Sequence, residues 1–204
     1  MLQAQDLAAR RGEATLFSGV SFSLAAGTTL IVTGPNGSGK TTLLRVLAGL
    51  THPTAGKLAW RGAAVTPFDP RLRAAALFIG HVPALSDELT AAENLASLVS
   101  LHGAPAAPQA LAEALAVWGL ARQRALPARV LSQGQRRRVG LARLHLMART
   151  LWLLDEPATA LDDAGVATLR AALAAHLAGG GIAAVATHLD LALPADGRET
   201  LRLG

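Results

Sequence analysis

The sequence predicts an α/β fold. It has a parallel sheet with helices, an antiparallel β flank from the N-terminal third, and a helical lobe inserted at about residues 85–130. Three observations carry that prediction. Short continuous apolar runs at 28–34 ("TTLIVTG"), 75–80 ("AALFIG"), 151–156 ("LWLLDE") and 181–188 ("GIAAVATH") alternate with helical stretches at 40–50, 133–148 and 163–178. The first of these runs ends in glycine and leads through a short glycine-rich loop into a helix. Between 85 and 130 the pattern changes to two or three alanine-rich amphipathic helices, broken at 102–108 ("HGAPAAP") and 126–130 ("LPARV").

The remaining elements are shorter. Residues 2–9 and 14–24 alternate loosely around the turn "RRGE", with Leu16, Val20, Phe22 and Leu24 apolar, and 57–62 ("KLAWRG") is a further short strand. A chain of 204 residues builds one large domain or two joined lobes around a real core. The hydrophobic fraction is 51% but aromatics only 3%, so alanine and leucine fill that core, which suits closely packed helices. No apolar run reaches the ~18–20 residues of a membrane span, and the first residues lack the apolar stretch of a signal peptide. The absence of cysteine excludes disulfides, thiolate zinc sites and thiol catalysis, and suits a reducing cytosol. A net charge of +5 permits an anionic partner, yet the arginines are scattered rather than gathered into one face.

Two motifs carry chemistry. "GPNGSGKT" (34–41) fits the phosphate-binding pattern G-x-x-x-x-G-K-[ST], between a buried strand and a helix, which marks a P-loop NTPase core of the RecA-like kind. Gly34, Pro35, Asn36, Gly37, Ser38 and Gly39 form the loop, with Gly37 and Gly39 letting successive N–H groups point inward at an anion. The following helix, opening at Lys40, Thr41 and Thr42, turns its positive end toward the same phosphates. Lys40 is expected on the β- and γ-phosphates of ATP and the Thr41 hydroxyl on Mg²⁺. "LWLLDEP" (151–157) places two carboxylates at the carboxyl end of an apolar strand, where such sheets bind ligands. Asp155 is expected to hold Mg²⁺ through water, and Glu156 to orient or deprotonate the attacking water.

"LSQGQ" (131–135) opens a helix 23 residues before Asp155, with Ser132 as N-cap and Gly134 permitting close approach. At these residues the chain resembles the ABC ATPase family. There two subunits face head to tail, and the signature motif of one covers the γ-phosphate held by the other. The resemblance implies that Leu131, Ser132, Gln133, Gly134 and Gln135 meet ATP on a second copy of the chain. It implies further that "TALD" (159–162) is a D-loop linking the sites through Asp162, and that His188 of "VATH" (185–188) contacts the γ-phosphate. Arg136, Arg137 and Arg138 follow the signature on one helix. Such runs are usually solvated or ion-paired, and no interleaved aromatic stands ready to stack bases, so nucleic acid is not expected. His145 and His176 read as packed or solvated, and His52 and His102 group with no other ligand, so no protein-held metal or direct haem ligand is expected.

Within that family, the stretches 15–24 ("TLFSGVSFSL"), 78–95 ("FIGHVPALSDELTAAENL") and 141–166 are similar to the ATP-binding subunits of bacterial cytochrome c maturation systems. The resemblance implies integral membrane transporter subunits of a haem-handling complex as partners. It also implies a peripheral position at the cytoplasmic face of the inner membrane, and ATP hydrolysis that powers haem export or release of a haem-loaded chaperone. Three departures stand against the family pattern. The adenine-stacking aromatic is replaced, with Arg10 or Arg11 nearest its place and a guanidinium plane on offer instead. No glutamine occurs from Leu77 to Ala92, and His81 takes the Q-loop position, the expected link to the membrane partner. Gln133 replaces the signature's central glycine. Rival readings are an ATPase of another small-molecule exporter, a non-transport ABC protein, and a module that senses ATP without hydrolysing it.

Overall fold

The computed structural model describes residues 1–103, 106–194 and 196–204, so Ala104 and Pro105 of the expected break at 102–108 lie outside the described residues. The chain divides into two compact units. The first takes in Met1–Gly80, Arg149–Glu156 and Leu173–Gly204, and holds both sheets.

Its antiparallel sheet runs β2-β1-β4-β5, built from β1 (Leu2–Arg11), β2 (Ala14–Leu24), β4 (Ala55–Trp60) and β5 (Ala63–Val65). β1 and β2 form a hairpin whose inward residues, Leu2, Ala4, Leu7 and Ala9 against Phe17, Val20 and Leu24, are buried. The alternation that betrayed these strands is therefore the alternation of core and solvent. The parallel sheet runs β6-β7-β8-β3-β9, with β3 (Thr29–Thr33), β6 (Ala76–Ile79), β7 (Leu151–Asp155), β8 (Ile182–Ala186) and β9 (Arg198–Arg202). β7 and β8 are buried at every position, as expected for central strands covered on both faces. Helix α1 (Lys40–Leu47) follows β3 and buries Leu43, Leu44, Val46 and Leu47 in the same core. The short α2 (Pro70–Ala75) starts on Asp69, whose carboxylate accepts from Arg71 N at 2.9 Å, with Pro70 at the first helical position.

The second unit is His81–Ala148 with Pro157–Ala172. It contains α3 (Ala91–Ser100), α4 (Pro108–Val117), a 3₁₀ turn at Ala128–Val130, α5 (Gln133–Leu141) and the part of α6 (Asp163–Ala178) up to Ala172. Leu95, Leu115, Trp118, Val139 and Leu141 are buried in it, and α3 packs on both α4 and α5. α3 is closed by a capping box in which Thr90 and Glu93 bond each other's backbone.

The predicted fold class stands, with two corrections of detail. The helix expected over 133–148 ends at Leu141 and tightens into a 3₁₀ turn, Ala142–His145. Here the Arg143 side chain donates to the Gly140 carbonyl at 3.0 Å, competing with the backbone for that acceptor. β9, β5 and α2 were not anticipated. β9 is an exposed edge strand with two arginines and a glutamate, so no buried face shows in its composition.

Candidate functional site

The first unit brings together residues 34–41, Asp155, Glu156 and His188 at the carboxyl ends of β3, β7 and β8. The loop has an exposed crown, Pro35, Asn36 and Gly37, over a buried base formed by Ser38 and Lys40. Gly39 takes φ +97°, and a Cβ there would stand 2.9 Å from Leu16 Cβ and 3.0 Å from Phe17 Cδ1, so glycine is required on both counts. It precedes α1 without any side-chain cap, which leaves the first-turn N–H groups of the helix free for an anion. The Lys40 ammonium, 7% exposed, donates to Gly34 O at 2.7 Å and Pro35 O at 3.1 Å, and so is anchored over the loop. Ser38 Oγ is buried with no partner.

Thr41 Oγ1 donates to Asp155 Oδ2 at 2.7 Å. Asp155 is 1% exposed, so the helix start after the loop is tied to a buried carboxylate at the end of β7. A hydroxyl and a carboxylate at this separation are the hard oxygen donors that Mg²⁺ takes alongside water and phosphate. Among the described residues no cluster of three His, Cys, Asp or Glu exists that would form an all-protein metal cage. The donor set thus fits Mg²⁺ shared with a nucleotide.

Glu156 adopts φ +47°, a left-handed conformation that costs a non-glycine residue about 1–3 kcal/mol. Its N–H still continues the ladder by donating to Ala186 O at 2.8 Å, so the chain turns sharply only after that bond. The turn carries the carboxylate toward His188, whose Nε2 lies 3.4 Å from Glu156 Oε1. Thr187 steadies the histidine's backbone. Its N–H reaches Val32 O at 3.2 Å and its hydroxyl accepts from Leu189 N at 3.0 Å.

The signature residues, Asp162 and His81 belong to the second unit. Ser132 and Gln135 form a capping box on α5: Ser132 Oγ accepts from Gln135 N at 3.2 Å, and Gln135 Oε1 accepts from Ser132 N at 2.9 Å. Leu131 is buried, and Ser132 and Gln133 are exposed. At Gly134 a Cβ would meet Ala160 O at 2.5 Å, so the motif's glycine is demanded by packing inside the subunit. Asp162 caps α6 by accepting from Gly165 N at 2.8 Å and pairs with Arg138. Those contacts, the backbone bond first, hold its carboxyl below the usual range.

The three arginines are all engaged. Arg136 meets Asp87 at 2.5 Å, Arg138 meets Asp162, and Arg137, 3% exposed, donates to Pro157 O at 3.2 Å and His81 O at 3.0 Å. His81 thus enters this network through its carbonyl, while its side chain is exposed. Arg11 is exposed at the end of β1 beside the hairpin turn, and Arg10 bonds Glu13 across that turn. The residues of β2 that touch Gly39 are Leu16 and Phe17, a contact that spacing alone did not disclose. His145 lies edge-on to Trp118 with centroids 6.1 Å apart, and His176 stacks on Trp152 at 3.8 Å, so both are packed side chains.

A family model described as ABC transporter matches residues 17–159. The cytochrome c biogenesis ATP-binding export protein CcmA of Aromatoleum aromaticum is 50% identical over 191 residues, covering 93% of this chain and 89% of that protein. The protein of the same name in Pseudomonas putida is 48% identical over 203 residues, covering 100% and 96%. An ABC transporter ATP-binding protein of Pyrococcus furiosus superposes with a TM-score of 0.84 at 23% identity, covering 98% of this chain and 96% of its own. An ATP-binding cassette solved as a dimer in a post-hydrolysis state with ADP and phosphate gives 0.82 at 24%, covering 100% and 94%. At those identities the two structures establish the fold. The family model and the curated relatives go further: this chain belongs to the ABC transporter family and groups there with the CcmA proteins.

Proposed function

We propose that this chain is the ATP-hydrolysing subunit of a transporter complex in cytochrome c maturation, powering haem export or release of a haem-loaded chaperone. The observation that carries the hydrolytic part is the grouping in one unit of Lys40, Thr41, Asp155, Glu156 and His188, with Glu156 in a left-handed turn that aims it at His188. The names of relatives near 50% identity support the pathway.

The residues divide the work. The loop's N–H groups, the start of α1 and Lys40 bind the negative charge of the triphosphate. Thr41 Oγ1 and Asp155 Oδ2 would hold Mg²⁺, which when bound screens and orients the β- and γ-phosphates. Glu156 takes a proton from water as the water oxygen bonds to the γ-phosphorus, and the bridging oxygen departs with ADP. His188, beside the carboxylate, fixes its direction and faces the γ-phosphate. The exposed Ser132 end of α5 supplies the second jaw, from another copy of the chain. Among the described residues no helix is long and apolar enough to cross a membrane. The names of the relatives support attachment at the cytoplasmic face of the inner membrane through integral membrane subunits.

The test is complementation. In a cell lacking its own maturation ATPase, the wild-type chain restores c-type cytochromes and Lys40→Ala does not. Equal rescue by both would overturn the proposal, and so would a purified wild-type chain that releases no phosphate from ATP.

A further inference from the structure

Arg138 takes no part in the hydrolytic steps above, yet three other segments of the second unit converge on it. It lies one turn beyond Gly134 on α5, and its side chain is 16% exposed. Its Nη2 donates to Asp162 Oδ1, and its Nη1 donates at 3.4 Å to the carbonyl of Trp118, the residue that ends α4. Two glycines make the seat. A Cβ on Gly119 would stand 3.3 Å from Nη1, and one on Gly165, near the start of α6, would stand 3.2 Å from both Nε and Asp162 Oδ1. Nε is buried there with no hydrogen-bond partner among the described residues. The guanidinium is therefore held by shape as well as by bonds, which suits a planar fork and not the ammonium of a lysine.

The segment leading into α6 touches α5 at a second point. Ala160 has φ +63°, a conformation unfavourable for a residue with a Cβ, and its carbonyl oxygen lies 2.5 Å from where a Cβ on Gly134 would be. Gly134 and Arg138 are four residues apart and so share a face of the helix. Ala160 and Asp162 lie along that face. Asp162 takes its bonds from Gly165 N and from Arg138 on the one oxygen Oδ1, and its side chain stays 65% exposed. The exposed Ser132 end of α5 and the Asp162 carboxylate are thus fixed relative to one another. We propose that Arg138 is a positioning residue for the hydrolytic reaction: it clamps residues 160–162 to α5, so that the signature residues and the Asp162 carboxylate meet the second copy as one preformed surface. This rests on the reading of the chain as an ATPase that closes on a second copy. A surface ordered in advance loses less freedom on docking than two segments that must be ordered separately.

The experiment places Arg138→Gln, Arg138→Lys, Asp162→Asn, the Arg138→Gln/Asp162→Asn pair and Gly165→Ala in the full chain carrying Glu156→Gln, where ATP drives a dimer that does not turn over. Three quantities are read: the dimer dissociation constant with saturating Mg²⁺ and ATP, the affinity of the monomer for a fluorescent ATP analogue, and the melting temperature. Arg138→Gln is expected to weaken the dimer about tenfold or more while monomer affinity for nucleotide stays within about twofold, with Arg138→Lys intermediate. The double variant should be no weaker than the weaker of its two single variants, because the two side chains act as a unit. Gly165→Ala keeps both side chains and favours the helix, so its melting temperature should hold or rise while the dimer weakens, as the added methyl displaces Arg138 and Asp162 from their seat. A merely structural arginine gives another pattern: dimer strength follows melting temperature, and Gly165→Ala dimerises like its parent. That pattern overturns the proposal, and so does strict additivity of Arg138→Gln with Asp162→Asn. If the Glu156→Gln parent itself binds no ATP or forms no ATP-dependent dimer, the ATPase reading fails first and the proposal falls with it.

Discussion

His188 Nε2 stands 3.4 Å from Glu156 Oε1, the two side chains reaching one another from the ends of adjacent parallel strands. The pairing gives the carboxylate a fixed direction, which in the proposed mechanism is toward water at the γ-phosphate. Glu156→Gln keeps the shape and removes the base. We expect ATP affinity to be nearly unchanged, phosphate release to fall about 10²–10⁴-fold, and an ATP-bound dimer to accumulate on size exclusion. Undiminished turnover would remove Glu156 from the mechanism.

The contact between Thr41 and Asp155 predicts a metal-linked defect. Thr41→Val retains the branched shape and loses the oxygen. Hydrolysis should fall roughly 10–100-fold, and the Mg²⁺ concentration for half-maximal rate should rise while that for ATP changes less. Identical Mg²⁺ titrations for variant and wild type would contradict the assigned role.

Gly134 is constrained twice. Gly134→Asp is expected to abolish hydrolysis by bulk and charge against a phosphate presented by the second copy, with ATP binding to the P-loop retained. The 2.5 Å approach to Ala160 O means that Gly134→Ala also strains the subunit, by about 1–3 kcal/mol. Differential scanning fluorimetry should therefore show Gly134→Ala melting several degrees below wild type, and an unchanged melting temperature would refute the packing argument.

His81 engages Arg137 by its carbonyl, so His81→Ala preserves that bond. ATP affinity should stay within roughly tenfold, about 1.4 kcal/mol, while stimulation of the ATPase by membrane subunits and cytochrome c maturation are mostly lost. Full complementation by His81→Ala would make the imidazole a spectator.

His176 carries a pH prediction. Burial holds its pKa below the usual imidazole value, the bond to Ile182 O opposing the shift in part. The unfolded chain takes up a proton near pH 6.5, whereas the folded chain resists until lower pH. Stability present above that value is thus lost as pH falls through the folded pKa. His145 is shifted in the same direction by burial and adds to the loss. Denaturant midpoints at pH 7.5 and 5.5 should differ less for His176→Phe, which keeps a ring against Trp152, than for wild type. An equal difference in both would refute the assignment.

Much of the candidate site was legible in the sequence because its residues are neighbours in the chain. Eight consecutive residues make the phosphate loop, and two adjacent carboxylates end one strand. The strand–helix alternation was legible for the same reason, since each element shows its own period. What remained hidden depends on distant backbone. The triple arginine announces charge, but only the fold brings the carbonyls of His81 and Pro157 to Arg137. Nothing near Gly39 in the chain foretells Leu16 and Phe17 as its neighbours. The left-handed turn at Glu156 arises from where β7 stops pairing with β8, a register no local composition encodes.

The position of β3 in its sheet has a consequence for the order of biosynthesis. Its two neighbours are β8 and β9, both translated long after it. The strand that carries the phosphate loop therefore leaves the ribosome without either hydrogen-bonding partner and waits for most of the polypeptide to follow. During that interval an apolar β segment is open on both edges, which exposes the nascent chain to association with its neighbours on a polysome. A product terminated before β8 would carry the loop sequence but neither sheet partner of the strand that presents it.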